Sequence, residues 1–137
     1  SEIDIVLKYK ALKNGNVDEA LEDVKAIATL VHAKKGILKL ILETCELTKD
    51  QIIQAAAIAT EARCDFIKTS TGFGSAGASE TDLKIMRGTF LGGSKISGGV
   101  TQNSVLSLLA AASGRNDGKI ELDPLKIRIG ESGLLSP

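Results

Sequence analysis

The sequence is poor in aromatic residues, with three Phe, one Tyr and no Trp in 137 residues. A core built from it must be aliphatic, of Ile, Leu, Val and Ala. It also lacks net charge: 17 Lys and Arg balance 17 Asp and Glu, and no basic stripe interleaved with aromatics occurs. Those absences exclude a general nucleic-acid binder and a polybasic membrane binder. No apolar run is long enough to span a bilayer, and no N-terminal segment reads as a signal peptide. The two cysteines, Cys45 and Cys64, lack metal-ligand spacing and read as small buried hydrophobes, just after one strand and at the start of another. A reducing, cytoplasmic setting is expected from them. The single histidine, His32, falls near a helix end and reads as a favourable charge at the helix C-terminus rather than a catalytic group.

What remains is one globular domain over residues 1–137 with a strand-then-helix rhythm. Strands are expected at 2–7, 37–42, 64–68, 94–96 and 126–129. The first helix shows Val17, Ala20, Leu21, Val24, Ile27, Ala28 and Val31 at helical spacing. Asn16 with Glu19 resembles a capping box at its start. Thr48 with Gln51 opens the next helix, and Ser79 caps a short one containing Leu83 and Met86. A further helix runs through Val105, Leu106, Leu108 and Leu109. Five β units separated by helices imply an α/β fold with a parallel sheet.

Strands of a parallel sheet covered on both faces should read as unbroken apolar runs. Asp4, Lys39, Lys68 and Lys95 break that rule in four successive units. One lysine at a strand end can snorkel to solvent. Four charges in successive units, if they point into a closed (β/α) barrel, converge near its C-terminal rim, where such enzymes place their chemistry. Two neighbouring lysines disfavour each other's charge, so a lysine pKa falls from about 10.4 toward 7–8 and leaves an amine able to attack a carbonyl. A nearby carboxylate such as Asp4 can move protons. That set suits imine-based making or breaking of carbon–carbon bonds. Gly98-Gly99 follows the Lys95 strand, and Gly130-Glu131-Ser132-Gly133 follows the last one. Glycine turns on the last two βα loops are where barrel enzymes often bind phosphate.

The run Asp65-Phe66-Ile67-Lys68-Thr69-Ser70-Thr71-Gly72 closely resembles the Schiff-base strand of the deoxyribose-phosphate aldolase family. Glu2-Ile3-Asp4-Ile5-Val6, Leu38-Lys39-Leu40-Ile41-Leu42-Glu43-Thr44, Lys95-Ile96-Ser97-Gly98-Gly99-Val100 and Arg128-Ile129-Gly130-Glu131-Ser132-Gly133 resemble further family segments, in order and at similar spacing. The resemblance covers essentially the whole chain. It implies a (β/α)8 TIM-barrel fold, of which this sequence carries the last five βα units. It implies reversible cleavage of 2-deoxy-D-ribose 5-phosphate to D-glyceraldehyde 3-phosphate and acetaldehyde, without metal or organic cofactor. Lys68 would be the imine-forming nucleophile, Lys95 would depress its pKa, and Asp4 would relay protons with water. Gly98, Gly99, Gly130 and Ser132 would hold phosphate, Thr71 and Gly72 would line the substrate pocket, and Lys39 would stand behind them.

The sequence departs from the family pattern at Glu131, Gly133, Thr101 and Arg63, and it begins directly at the Asp4 strand. The family barrel has roughly 250 residues, and five strands do not close it. Open strand edges invite pairing with another chain, so a homo-oligomer is expected. Two other readings fit parts of this pattern: another class I aldolase for a phosphorylated aldehyde, and an inactive aldolase-derived fragment acting as an assembly module.

Overall fold

The expected alternation forms throughout. The computed structural model of the chain describes residues 1–72, 76–114, 117, 119–121 and 123–130. Its strands are β1 (Glu2–Val6), β2 (Ile37–Ile41), β3 (Phe66–Lys68), β4 (Gly93–Ser97) and β5 (Ile127–Gly130). They lie side by side in sequence order, and every neighbouring pair is parallel. The helices between them are α1 (Tyr9–Lys13), α2 (Val17–Ala33), α3 (Lys49–Glu61), α4 (Glu80–Thr89) and α5 (Val105–Ser113). This is an arc of consecutive βα units from a TIM barrel.

Side chains along a strand alternate between the two faces. Leu38, Leu40, Ile67 and Ile96 are fully buried and form one cluster with Val24, Ala28, Ile52, Ala56, Ala59, Leu83 and Met86 of the helices. Each large aliphatic buried there contributes about 1.5–3 kcal/mol. The register Asp4↔Lys39, Lys39↔Phe66, Lys68↔Lys95 and Lys95↔Arg128 puts those residues together on the other face. The sheet edges are β1 and β5, and Ile3 and Val6 of β1 are exposed.

Local chemistry sets the helix starts. Thr48 accepts from the Gln51 N–H at 3.2 Å, and the Gln51 side chain accepts from the Thr48 N–H at 2.9 Å, a complete capping box. Ser79 accepts from the Asp82 N–H at 3.1 Å. Asn16 differs from expectation: its side chain makes no capping bond, because its ψ of 62° departs from the extended backbone that aims an N-cap side chain back at the helix. Helix α1 is also unanticipated, since one short turn around the buried Leu12 shows no helical period.

Strand β3 is shorter than the sequence suggests because of Asp65. Its carboxylate Oδ2, in place of a ladder carbonyl, accepts the Leu38 N–H at 2.8 Å. The same oxygen lies 2.9 Å from His32 Nε2. His32 thus sits in the last turn of α2, as expected, and also ties that helix to the start of β3. Cys64 is buried, and its thiol is pushed up to about 12 by burial and then by the Asp65 carboxylate. Cys45 is only half-buried, because the 3-10 turn Thr44–Glu46 holds it outside the core. Among the described residues no helix is long and apolar enough to cross a membrane.

Candidate active site

The polar face of the sheet carries alternating charges. Lys68 Nζ donates to Asp4 Oδ2 at 3.2 Å. Lys39 Nζ lies 3.4 Å from Asp4 Oδ1 and 3.2 Å from Glu2 Oε1. Glu2 in turn pairs with Arg128, so a side chain from one edge strand meets one from the other. The Arg128 guanidinium also lies over the Phe66 ring, 4.5 Å from its centroid, close enough for a cation–π contact. The chain Arg128–Glu2–Lys39–Asp4–Lys68 thus runs cation to anion across the polar face of the sheet.

Lys39 does not snorkel. It is only 7% exposed, and its two carboxylate partners offset the cost of burying its ammonium. Asp4 feels opposing effects. Burial raises its carboxyl, but the Lys68 hydrogen bond and the charges of Lys39 and Lys68 outweigh that and hold it below the ordinary carboxylate value. Glu2 is lowered too, by its hydrogen bonds to Arg128 and then Lys39.

Lys95 lies directly across the ladder from Lys68, on strands about 4.8 Å apart. Among the described residues it has no carboxylate partner. Its ammonium is held below the usual lysine value, by burial first and then by the charges of Lys68 and Lys39. Gly130 makes room for it: a Cβ there would stand 2.8 Å from Lys95 Cε.

Both lysine strands are fixed from behind by a buried knot of hydroxyls. Ser97 Oγ donates to the Ser70 carbonyl at 2.6 Å and accepts the Ser70 N–H at 3.2 Å. Thr69 Oγ1 donates to the Ser97 carbonyl at 2.9 Å and accepts the Ser97 N–H at 3.1 Å. The knot ties the β3 terminus to the β4 terminus one residue beyond Lys68 and two beyond Lys95.

Beyond the lysines opens a cleft of about 400 Å³ lined by Lys68, Thr71, Gly72, Ser97, Gly98, Gly99 and Gly130. Gly98 and Gly99 have φ of 78° and 68°, the left-handed region that glycine enters without a Cβ penalty. The Gly98 carbonyl accepts the Ala78 N–H at 2.9 Å, which joins the β3–α4 loop to the β4–α5 loop. Thr101 is engaged with Ser104 through reciprocal bonds of 3.0 and 3.2 Å to each other's backbone N–H. A larger groove over Gly15–Glu19 lies away from the lysines.

Of the residues expected from sequence, Asp4, Lys39, Lys68 and Lys95 share one face. Thr71, Gly72, Gly98, Gly99 and Gly130 line the adjoining cleft. Ser132 lies outside the described residues, as do Glu131 and Gly133. Sequence reasoning did not single out Arg128, Ser97 or Glu43. Arg128 and Ser97 were open to detection by period-two alternation, two residues from Gly130 and Lys95 respectively. Glu43 carried only the weak signal of a carboxylate directly after an apolar strand.

The chain matches the model of the DeoC/LacD family aldolases over residues 1–135. It is 39% identical over 118 residues to the deoxyribose-phosphate aldolase of Thermococcus gammatolerans, covering 83% of this chain and 52% of that one. It is 43% identical over 90 residues to the deoxyribose-phosphate aldolase of Carboxydothermus hydrogenoformans, covering 64% of this chain and 40% of the relative. The chain spans about half the length of the curated relatives it matches. Among solved structures, the aldolase QR15 superposes with a TM-score of 0.74 at 28% identity over 93% of this chain and 53% of that one. The deoxyribose phosphate aldolase of Aeropyrum pernix, described as tetrameric, shares the fold with a TM-score of 0.71 at 20% identity, over 93% of this chain and 50% of that one.

Proposed function

We propose that this chain, which belongs to the DeoC/LacD aldolase family, carries the Schiff-base half of a deoxyribose-phosphate aldolase. The observation that carries the reading is Lys68: it faces a lysine across the ladder, bonds Asp4, and opens onto a glycine-lined cleft. The reaction is reversible cleavage of 2-deoxy-D-ribose 5-phosphate to D-glyceraldehyde 3-phosphate and acetaldehyde, a step in deoxyribonucleotide catabolism.

In this account the neutral Lys68 amine attacks the substrate carbonyl carbon and forms a carbinolamine. Loss of water gives the imine, whose positive nitrogen draws electrons as the carbon–carbon bond breaks and the C3 hydroxyl gives its proton to the water held by Asp4. That releases glyceraldehyde 3-phosphate and leaves an enamine, which is protonated on carbon and hydrolysed to acetaldehyde. Lys95, directly across the ladder, sets a second positive charge beside the nucleophile, and the proton that Lys68 loses passes to water. Asp4, 3.2 Å from the nucleophile nitrogen, holds that nitrogen in place and works with water as the proton relay. Lys39 fixes Asp4 from its other oxygen. Gly98, Gly99 and Gly130, with Ser132, hold the phosphate, and Thr71 and Gly72 face the sugar. The sugar phosphate and the aldehydes are the partners of this site, and the reaction needs no metal or organic cofactor.

We further read the protein as a cytoplasmic homo-oligomer. Free thiols at Cys45 and Cys64 support the compartment. Exposed apolar side chains at Leu30, Leu91 and Leu106 support the assembly. The test is cleavage of 2-deoxy-D-ribose 5-phosphate compared with other sugar phosphates, using wild type and Lys68→Ala. Lys68-dependent cleavage that prefers the deoxy sugar is expected. Preference for another phosphorylated sugar would replace this reading with that of a different class I aldolase.

A further inference from the structure

Glu43 is an expensive residue in its position. It is 5% exposed, and among the described residues no cation pairs with it. An unpaired buried carboxylate is costly. Its backbone has φ of 56°, a left-handed conformation that non-glycine residues rarely adopt. Such features persist where the surrounding structure compensates them. Among the described residues the compensation comes from Thr71, which donates its N–H to Glu43 Oε1 at 3.2 Å and its hydroxyl to Oε2 at 2.6 Å. The second bond has the short length of a charge-assisted O–H to carboxylate contact. A neutral amide would fill the same space but would turn an NH2 donor toward one of Thr71's two donors.

Thr71 stands three residues after Lys68 and lines the cleft beside Gly72. The wall across from it, Gly98 and Gly99, belongs to β4 and its loop, which the Ser97 knot holds on the β3 terminus. Glu43 belongs to neither strand. It follows β2, and the Thr44 N–H donates to the Thr69 carbonyl at 3.0 Å. Thus β2 carries two carboxylate-directed fixtures. Lys39 holds Asp4 below the nucleophile, and Glu43 holds Thr71 beyond it.

The geometry points to Glu43 as a positioning residue that sets the Thr71–Gly72 wall of the cleft and thereby the fit of a sugar phosphate, but not of a two-carbon aldehyde. This rests on the reading of Lys68 as the imine-forming residue. Acetaldehyde is too small to need that wall, whereas a five-carbon sugar phosphate must pass along it.

The test uses the full chain with Glu43→Gln, Thr71→Val and the double variant. It measures borohydride trapping of acetaldehyde, kcat/KM for 2-deoxy-D-ribose 5-phosphate, and Tm. Glu43→Gln is expected to lower kcat/KM for the sugar about ten-fold, as for one lost charge-assisted hydrogen bond. Acetaldehyde trapping should stay within about two-fold of wild type, well inside the span of a single weak contact. Thr71→Val should lower kcat/KM for the sugar at least as far, and the double variant should lose no more than Thr71→Val alone. Equal loss on both carbonyls with a lower Tm would overturn the proposal and leave Glu43 a structural residue only. Sugar turnover in Thr71→Val equal to wild type would overturn it independently of how Glu43→Gln folds. Absence of any trapped adduct in wild type would instead bring down the Lys68 reading on which it rests.

Discussion

Lys68 and Asp4 meet across an intervening strand: the Nζ–H to Oδ2 bond of 3.2 Å joins β3 to β1 over β2. Lys39, on the strand between, reaches the other oxygen of the same carboxylate. One carboxylate therefore serves two lysines, and its replacement should affect both. Asp4→Asn keeps the shape and removes the charge. We expect it to lower turnover by about 10²-fold, the low end for a lost proton-transfer group, and to leave slow, Lys68-dependent trapping of acetaldehyde. Steady-state kinetics beside a trapping time course checks this.

The same carboxylate makes stability depend on pH on the acid side. Asp4 is held below its ordinary value in the folded chain, so the folded state releases that proton more readily than the unfolded state does. Its contribution is fully present above the unfolded value of about 3.9 and is lost as pH falls through the lower folded value. Urea melts of wild type and Asp4→Asn should therefore converge as pH drops below about 4.

Lys95 has the opposite linkage. Its folded value is depressed, so between that value and about 10.4 the unfolded chain binds more protons and stability rises with pH. Replacing the ammonium by an apolar group should then stabilise the fold at neutral pH. We expect Lys95→Leu to raise Tm at pH 7, with the gain shrinking as pH approaches about 10.4, while acetaldehyde trapping slows by about 10²-fold or more. A gain in Tm with a loss in rate is the signature of a charge kept for chemistry.

Gly130→Ala probes the same ammonium from outside. A Cβ there would stand 2.8 Å from Lys95 Cε and 3.3 Å from its Nζ, so the flexible lysine end must shift. Slower trapping with Tm nearly unchanged is expected, because the displaced group is the tip of a side chain and not backbone.

Ser97→Ala removes a hydroxyl that satisfies both backbone groups of Ser70, all of it buried. Leaving buried polar groups unpaired costs about 1–3 kcal/mol. We expect a loss of about 2 kcal/mol, read as a lower urea midpoint at unchanged slope, since the unfolded chain is the same.

The charged face of the sheet was legible because charge inside an apolar parallel strand is costly, so Asp4, Lys39, Lys68 and Lys95 stand out from the sequence. The capping box at Thr48 and the N-cap at Ser79 were legible because they are local. Asn16 misled because its residue type suits a cap while its backbone angles do not, and those angles follow from the turn after α1. The late start of β3 was hidden because it depends on Asp65 reaching Leu38, 27 residues away in sequence. Glu43, Ser97 and Arg128 act through partners 28, 27 and 126 residues distant. No local pattern marks such pairings, and only the sheet register brings them together.

The most direct test of the central claim is the intact mass of the full chain after incubation with acetaldehyde and borohydride, with the modified residue located by peptide mapping. The account predicts a single ethyl group, carried by Lys68 and absent from Lys68→Ala. An unmodified wild-type chain, or an equal yield of adduct in Lys68→Ala, would contradict it.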